Sequence, residues 1–251
     1  MNIIKSSSSM KSNKIENSPL ETECLFGEEV ELLDEHLDLI YCKLITDNYI
    51  GWIKKDSLGE VKNVTHRVLN KRTFIYENAD PKSNTILHLP MGSQIEVKKI
   101  ESGWAKTIFI TNKQIQVGYV PSKHIVKNDH VVKDWVSHAE QLIGVPYRWG
   151  GRDTIGIDCS ALLQLSYQTY GEIIPRNTSQ QVKCNKKIID NINKLKRGCV
   201  VFWEGHVGIM INNTDCIHAN AFHMKTTVEP LDIIIKRIKR NFKIIKMMDF
   251  N

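Results

Sequence analysis

The stretch GVPYRWGGRDTIGIDCSALLQLSYQTYG, residues 144–171, places a cysteine at the start of a helical pattern. Asp158 is a residue type that caps helix N-termini, so Cys159 is predicted to be the first residue of a helix that runs to about Tyr170. A thiol in that position faces unpaired backbone N–H groups and the positive end of the helix dipole, which are expected to lower its pKa. For an isolated cysteine, a buried structural role on an amphipathic helix is the more frequent alternative.

Two histidines favour the chemical interpretation of this cysteine. His206 opens one predicted strand and His218 lies in the next, and the turn signal NNTD separates the two strands. Both imidazoles share one sheet face if position 206 pairs opposite 218 or 220, whereas a two-residue turn at 213–214 would separate them. With Cys159 they would then supply a nucleophile, a general base and an orienting group.

The elements around this cluster predict an α+β domain. Apolar residues fall on one helical face before it, and Gly144 with Pro146 ends that helix. Three predicted strands follow Gly198. The face comprises Val132, Trp135, Val136, Ala139, Leu142 and Ile143. The C-terminal run IIIKRIKRNFKIIKMMDF (233–250) predicts a helix and a final strand broken at Asn241, with a membrane-surface helix as the alternative.

Residues 21–126 consist of short alternating segments separated by turns rich in Asn, Asp, Gly, Ser and Pro, which is typical of small all-β units. YIGWIKKDSL (49–58) and QVGYVPSKHI (116–125) repeat a glycine, an aromatic residue and a β-branched residue in the same order. Each follows a strand pair of similar spacing, so two tandem barrels of about fifty to sixty residues are predicted. Their G-[WY]-[VI] signature resembles that of the bacterial SH3 domain.

The N-terminal residues and the composition limit the compartment and the partners. A serine run stands where a secretory signal needs an apolar core, so residues 1–20 are expected to be a disordered tail of a cytoplasmic protein. No stretch approaches the roughly eighteen apolar residues of a membrane span, so no membrane partner is expected. The net charge of +6 is spread along the chain, which argues against nucleic acid. None of the six cysteines forms a CxxC pair, which argues against zinc and against thioredoxin-like chemistry. No metal and no other cofactor is expected.

The motifs PYRWGG, GIDCSALLQ, GHVGIMI and IHA occur in this order and resemble those of the NlpC/P60 cysteine peptidases. The resemblance implies a papain-like fold in which Cys159 is the nucleophile, His206 the base and His218 the third member. The predicted domain layout is a tail (1–20), two SH3-like barrels (21–64 and 65–127) and the peptidase domain (128–251).

The resemblance also assigns substrate contacts. Tyr147 and Ser160 correspond to residues that line the substrate sites and help to hold the acyl oxygen. Asp158 corresponds to an acid that pairs with the free amine of a substrate's first L-alanine. Thr178 stands where a serine contacts the D-glutamate carboxylate, and Arg176 is the alternative for that carboxylate because arginine can bind it through two nitrogens.

The activity implied is cleavage of the γ-D-glutamyl–diamino acid bond in murein tripeptides or tetrapeptides. Three alternatives remain open: a non-catalytic wall-binding protein, an exported autolysin, and a transferase or amidase on the same thiol scaffold. The sequence makes no prediction of the oligomeric state or of the third residue of the peptide.

Overall fold

The computed structural model describes residues 1–15, 17–111, 114–238 and 243–251. The chain folds into two compact units. The first comprises Met1–Val131 with Trp149–Thr154, and the second Val132–Arg148 with Ile155–Asn251. Within the described ranges, no helix has the length and apolar character needed to cross a membrane.

The first barrel is a five-stranded antiparallel sheet with the order β3-β2-β6-β5-β4, and β1 pairs with β7. Its strands are β1 (Asn2–Ile3), β2 (Ser7–Lys11), β3 (Leu20–Leu25), β4 (Val30–His36), β5 (Leu39–Leu44), β6 (Ile50–Lys54) and β7 (Leu58–Gly59). A 3-10 turn at Lys55–Ser57 leads into β7. The core includes Ile3, Met10, Cys24, Cys42 and Ile53.

The second barrel repeats this arrangement, with the order β10-β9-β14-β13-β12 and a 3-10 turn at Ser122–His124 before the last strand. Its strands are β8 (His66–Val68), β9 (Arg72–Tyr76), β10 (Thr85–Pro90), β11 (Gln94–Ile95), β12 (Val97–Glu101), β13 (Trp104–Thr111), β14 (Gln114–Pro121) and β15 (Ile125–Lys127). Here β8 pairs with β15 as β1 pairs with β7, and β11 is an addition on the other side of β8. The predicted internal repeat is confirmed.

A close approach between strands explains why the repeat preserves a glycine. A Cβ on Gly51 would lie 2.5 Å from Cγ of Met10, and one on Gly118 would lie 2.2 Å from Cγ2 of Ile75. Each glycine directly precedes an aromatic residue that pairs with a neighbouring strand. In the first barrel Trp52 of β6 lies opposite Lys11 of β2, and in the second Tyr119 of β14 lies opposite Tyr76 of β9. Only glycine leaves room for the two strands to meet there.

The prediction of a disordered tail over residues 1–20 is wrong. β1 and β2 lie in this segment, and Ile3 and Met10 are fully buried. The serine run alternates along β2, so that Ser8 and Met10 face the barrel interior while Ser9 is exposed. Serine has little intrinsic preference for strands, so the packing of Met10 and Ile3 decides this structure rather than local propensity.

The segment Trp149–Thr154 contains β16 (Arg152–Asp153) and belongs to the first unit, although the predicted peptidase domain of residues 128–251 included it. The buried Arg152 side chain donates two hydrogen bonds of 2.9 Å to the Glu28 carboxylate. Its backbone N–H donates to Glu23 at 2.8 Å. Burial alone would lower the pKa of Arg152, but Glu28 raises it above its ordinary value, so the ion pair stays charged.

The second unit has the predicted α+β composition. Its sheet has the order β18-β23-β19-β20-β21-β22, and every neighbouring pair is antiparallel. The strands are β17 (Gly156–Ile157), β18 (Lys187–Ile188), β19 (Cys199–Trp203), β20 (His206–Met210), β21 (Asp215–Asn220), β22 (Lys225–Pro230) and β23 (Ile244–Asp249). The helices are α1 (Val136–Glu140), α2 (Cys159–Gln168), α3 (Thr178–Gln181) and α4 (Leu231–Ile238).

The predicted helix and final strand at the C-terminus are confirmed as α4 and β23, whereas the predicted break at Asn241 lies outside the described residues. Ile234 of α4 is fully buried in the core of this unit, so its apolar face packs against protein. The helix predicted before Gly144 is present as α1, but it is shorter than the apolar pattern. Val132 and Ile143 both lie outside α1, and Ile143 is 49% exposed. Gly144 follows at a φ of 84°, where glycine is favoured.

Candidate active site

Helix α2 begins at Cys159, as predicted, and Asp158 is its N-cap. Asp158 has extended backbone dihedrals, and its carboxylate accepts a hydrogen bond from the Ala161 backbone N–H at 2.8 Å. Residues 159–167 are all buried, because the helix packs against β20 and β21. The chain thus presents the thiol at the N-terminus of a helix enclosed by its own unit.

The hairpin of β20 and β21 brings the two histidines together. The register pairs Ile209 with Ile217, so position 206 falls opposite position 220 and the side chains of His206 and His218 share one face. Nε2 of His206 lies 2.8 Å from Nδ1 of His218. The predicted pairing of the two imidazoles is therefore confirmed.

A carboxylate completes this line of side chains. Nε2 of His218 lies 2.8 Å from Oε1 of Glu229 on β22, and Arg237 of α4 donates to both oxygens of Glu229 at 2.6 and 2.7 Å. His223 approaches the same carboxylate at 3.1 Å. Sequence reasoning missed Glu229 and Arg237, since their position beside His218 depends on the pairing of β21 with β22 and on the packing of α4. A lone glutamate that lies beyond the three predicted strands carries no signal of this.

The predicted lowering of the thiol pKa is wrong. Burial raises the pKa of Cys159 to about 12, and the neighbouring Asp158 carboxylate adds to the rise, while hydrogen bonds from the Val207 and Ser160 backbone N–H groups oppose it. Burial also lowers the pKa of His206 to about 3, with His218 and Arg237 contributing in the same direction. Near pH 7 the pair is therefore a neutral thiol and a neutral imidazole.

Asp158, Ser160 and Arg176 form one buried cluster. Arg176 donates to the two oxygens of Asp158 at 2.9 and 2.6 Å and to the Ser160 hydroxyl at 2.6 Å. The Ser160 hydroxyl in turn donates to Asp158 at 3.0 Å. Gln181, which sequence reasoning missed, ties the Arg176 loop to α2 by donating to the backbone oxygens of Ser160 and Pro175 at 3.0 and 2.8 Å.

The remaining two predicted contact residues differ in position. Tyr147 lies close enough to the thiol for Cys159 and Asp158 to add to the burial that raises its pKa to about 12. Thr178 is half-buried as the first residue of α3.

A cavity of about 380 Å³ opens beside the two histidines. Aromatic, acidic and basic side chains all contribute to its wall. The lining residues are Trp203, Glu204, Gly205, His206, His218, Asn220, Phe222, Arg237 and Ile238. The mixed wall fits a ligand that carries both charges and an apolar chain.

Comparisons with known proteins show which families the two parts of the chain are similar to. Residues 144–238 match the NlpC/P60 family, and residues 13–58 match the bacterial dipeptidyl-peptidase Sh3 domain. Dipeptidyl-peptidase 6 of Lysinibacillus sphaericus is 25% identical over 86% of each chain. Gamma-D-glutamyl-L-lysine dipeptidyl-peptidase of Bacillus subtilis is 25% identical over 80% of this chain and 72% of its own. The crystal structure of an NlpC/P60 family protein from Bacillus cereus superposes with a TM-score of 0.84 at 17% identity, covering 99% of this chain and 98% of that one, which shows the shared fold.

Proposed function

Because this chain carries an NlpC/P60 cysteine peptidase domain and a bacterial dipeptidyl-peptidase SH3 domain, we propose that it hydrolyses the γ-D-glutamyl–diamino acid bond of murein peptides. Tripeptides and tetrapeptides with a free N-terminal L-alanine are the proposed substrates. The observation that carries the proposal is the contact between His206 and His218. The helix that begins with Cys159 packs against the two strands on which these histidines lie. The relatives named as dipeptidyl-peptidases support the bond and the free N-terminus.

In the proposed reaction, Sγ of Cys159 attacks the γ-carbonyl carbon of the D-glutamyl residue while His206 takes the thiol proton. His206 then delivers this proton to the leaving amine of the diamino acid, which leaves a thioester on Cys159. Water, deprotonated by His206, hydrolyses the thioester and restores the thiol. The backbone N–H of Cys159 and the Tyr147 hydroxyl are proposed to stabilise the oxyanion. Since the pair is neutral at rest, the proton moves as the sulfur attacks.

The buried cluster around Asp158 supports recognition of the substrate's N-terminus. Arg176 holds the Asp158 carboxylate in place through two hydrogen bonds, and Asp158 is proposed to pair with the ammonium group of L-alanine. Arg176 already binds Asp158, so Thr178 is the residue proposed to contact the D-glutamate carboxylate. Tyr147 and Ser160 are proposed to line the sites for the first two residues.

The first test is mass spectrometry of L-Ala-γ-D-Glu-meso-diaminopimelate and its L-lysine analogue after incubation with the protein and with Cys159→Ala. The expected result is release of the free diamino acid by the wild type alone, and no release from the N-acetylated peptides. Equal rates on free and acetylated peptides would reject the dipeptidyl-peptidase proposal. No cleavage of any peptide by folded protein would favour the wall-binding or transferase alternatives.

We also propose that these peptides are released wall fragments met in the cytoplasm, in line with the compartment expected from the sequence. Cell fractionation with an antibody against the protein tests the location. Recovery from the culture medium would favour the exported autolysin instead.

A further inference from the structure

Four side chains in the second unit form a continuous hydrogen-bonded line that extends beyond the two histidines. His206, His218 and Glu229 lie on the adjacent strands β20, β21 and β22, and the distances between successive members are both 2.8 Å. Arg237 ends the line on α4. His218 is 1% exposed and Glu229 is 9% exposed, so water competes little for these contacts.

The direction of the first hydrogen bond decides whether His206 can act as a base. A neutral imidazole carries one N–H and one lone pair, so either histidine could be the donor between them. If Nδ1 of His218 donated, His206 would carry its own proton on Nδ1 and could not take another there. If Nε2 of His206 donates, Nδ1 of His206 keeps the lone pair that proton abstraction requires.

Glu229 selects the second arrangement. Burial alone would raise its pKa, but hydrogen bonds from Arg237, His218 and His223 lower it to about 2, so the carboxylate is ionised and can only accept. Nε2 of His218 must therefore carry the proton in that contact. Burial lowers the pKa of His218, so this histidine is neutral and its Nδ1 accepts from Nε2 of His206.

Asn220 is the competing partner of His218. Its Oδ1 accepts from the His223 backbone N–H at 2.8 Å, which turns its Nδ2 towards Nε2 of His218 at 3.2 Å. That contact alone would favour a lone pair on Nε2. The contact with Glu229 is shorter, and a hydrogen bond to a charged group is about twice as strong as a neutral one, so Glu229 prevails.

We propose that Glu229 is a positioning residue that fixes the tautomers of His218 and His206 and so leaves Nδ1 of His206 free to take the thiol proton. Arg237 keeps Glu229 ionised and in place through two hydrogen bonds. The inference rests on the roles proposed above for Cys159 and His206, and it is independent of which peptide bond is cleaved.

Nitrogen-15 NMR of the histidine side chains tests the proposal on the unaltered protein near pH 7. The expected result is a proton on Nε2 of both His206 and His218. A proton on Nδ1 of His218 would overturn the proposal, whatever any variant does. This measurement uses no substrate, so it stays informative if murein peptides prove not to be cleaved.

Two substitutions of Glu229 test separately its role as a hydrogen-bond acceptor and the effect of its negative charge. Glu229→Leu removes the acceptor, and we expect kcat to fall about 10- to 100-fold with KM little changed, because His218 can then adopt the opposite tautomer. Glu229→Gln keeps an acceptor oxygen, so we expect it to retain the Nε2–H tautomer and recover most of the lost kcat. The matched control is Asp232→Asn, which changes an exposed carboxylate on α4 in the same way and should behave as wild type.

A substrate-independent readout accompanies these variants. The rate of alkylation of Cys159 by iodoacetamide should fall in Glu229→Leu together with kcat, and should recover in Glu229→Gln. Wild-type tautomers and rates in a folded Glu229→Leu protein would overturn the proposal. If that variant does not fold, a Glu229→Gln protein that keeps full activity with a proton on Nδ1 of His218 would overturn it equally.

Discussion

The thiol of Cys159 lies in surroundings that oppose its ionisation. Burial and the Asp158 carboxylate raise its pKa to about 12, and burial lowers the pKa of His206 to about 3. The N-terminus of α2 favours a thiolate by about 2 kcal/mol at most, whereas full burial can shift a pKa by about 3–5 units, at roughly 1.4 kcal/mol for each unit. The proposed nucleophile is thus activated by proton transfer to His206 during attack rather than by a thiolate formed beforehand.

We therefore expect no thiolate on Cys159 around neutral pH. The raised pKa of the thiol keeps it protonated as the pH rises through about 7, and the lowered pKa of His206 keeps the imidazole neutral above about pH 4. The iodoacetamide alkylation rate should climb continuously above about pH 8. Subtracting the signal of Cys159→Ala removes the contribution of the half-buried Cys184. A rate plateau or an ultraviolet thiolate band at acidic pH would contradict this expectation.

The bidentate pair of Arg176 with Asp158 is a buried contact beside the proposed nucleophile, and its loss is expected to reduce stability. Replacing Arg176 by Leu leaves the Asp158 carboxylate buried without its cation, which should reduce the free energy of unfolding by about 3–5 kcal/mol. Urea denaturation measures the loss. Lys194→Ala, which removes the exposed pair with Asp190, serves as the control and should cost less than about 0.5 kcal/mol. Equal losses in the two variants would show that the buried pair contributes no more than a surface one.

At the scale of elements, local signals were sufficient wherever one residue type fixes one geometry. The N-cap Asp158 located the start of α2, and the turn signal NNTD placed His206 and His218 on neighbouring strands. Glu229 could not be found in this way, because its contact with His218 is set by the register between β21 and β22. The pKa of the thiol was missed for a related reason: the burial that raises it comes from the whole unit and not from α2 alone.

The glycine that β6 and β14 share lies where two strands approach too closely for a larger residue. Gly51→Ala and Gly118→Ala each force a Cβ to within about 2.5 Å of a buried side chain, so each should reduce the free energy of unfolding by about 1–3 kcal/mol. Thermal denaturation of the two single variants measures this. Ser9→Ala, on the exposed face of β2, is the control and should leave the midpoint unchanged. Two variants as stable as the control would mean that the strands can separate there at no cost.

At the scale of the whole molecule, the first unit depends on residues that are distant in sequence. The first unit gains Trp149–Thr154, and its buried Arg152 binds Glu28. Its first barrel also needs the N-terminal residues that were predicted to be a tail, since β2 lies between β3 and β6 and supplies Met10 to the core. Serine has little preference for strands, so the sequence alone did not predict β2. The alternation of buried and exposed residues along β2 follows from the position of the barrel interior, which the sequence does not give.

A matched pair of substitutions in β2 tests whether this segment is part of the fold. Met10 is fully buried and Ser9 is exposed, although the two are adjacent in a serine-rich run. Met10→Lys should unfold the first barrel, because it places an unpaired ammonium group in the core, whereas Ser9→Lys should be tolerated, because Ser9 is exposed and pairs opposite Glu23. Hydrogen exchange of the β5 and β6 amides distinguishes the outcomes. Full protection in both variants would return residues 1–20 to a disordered tail, because a flexible segment accepts a charge equally well at either position.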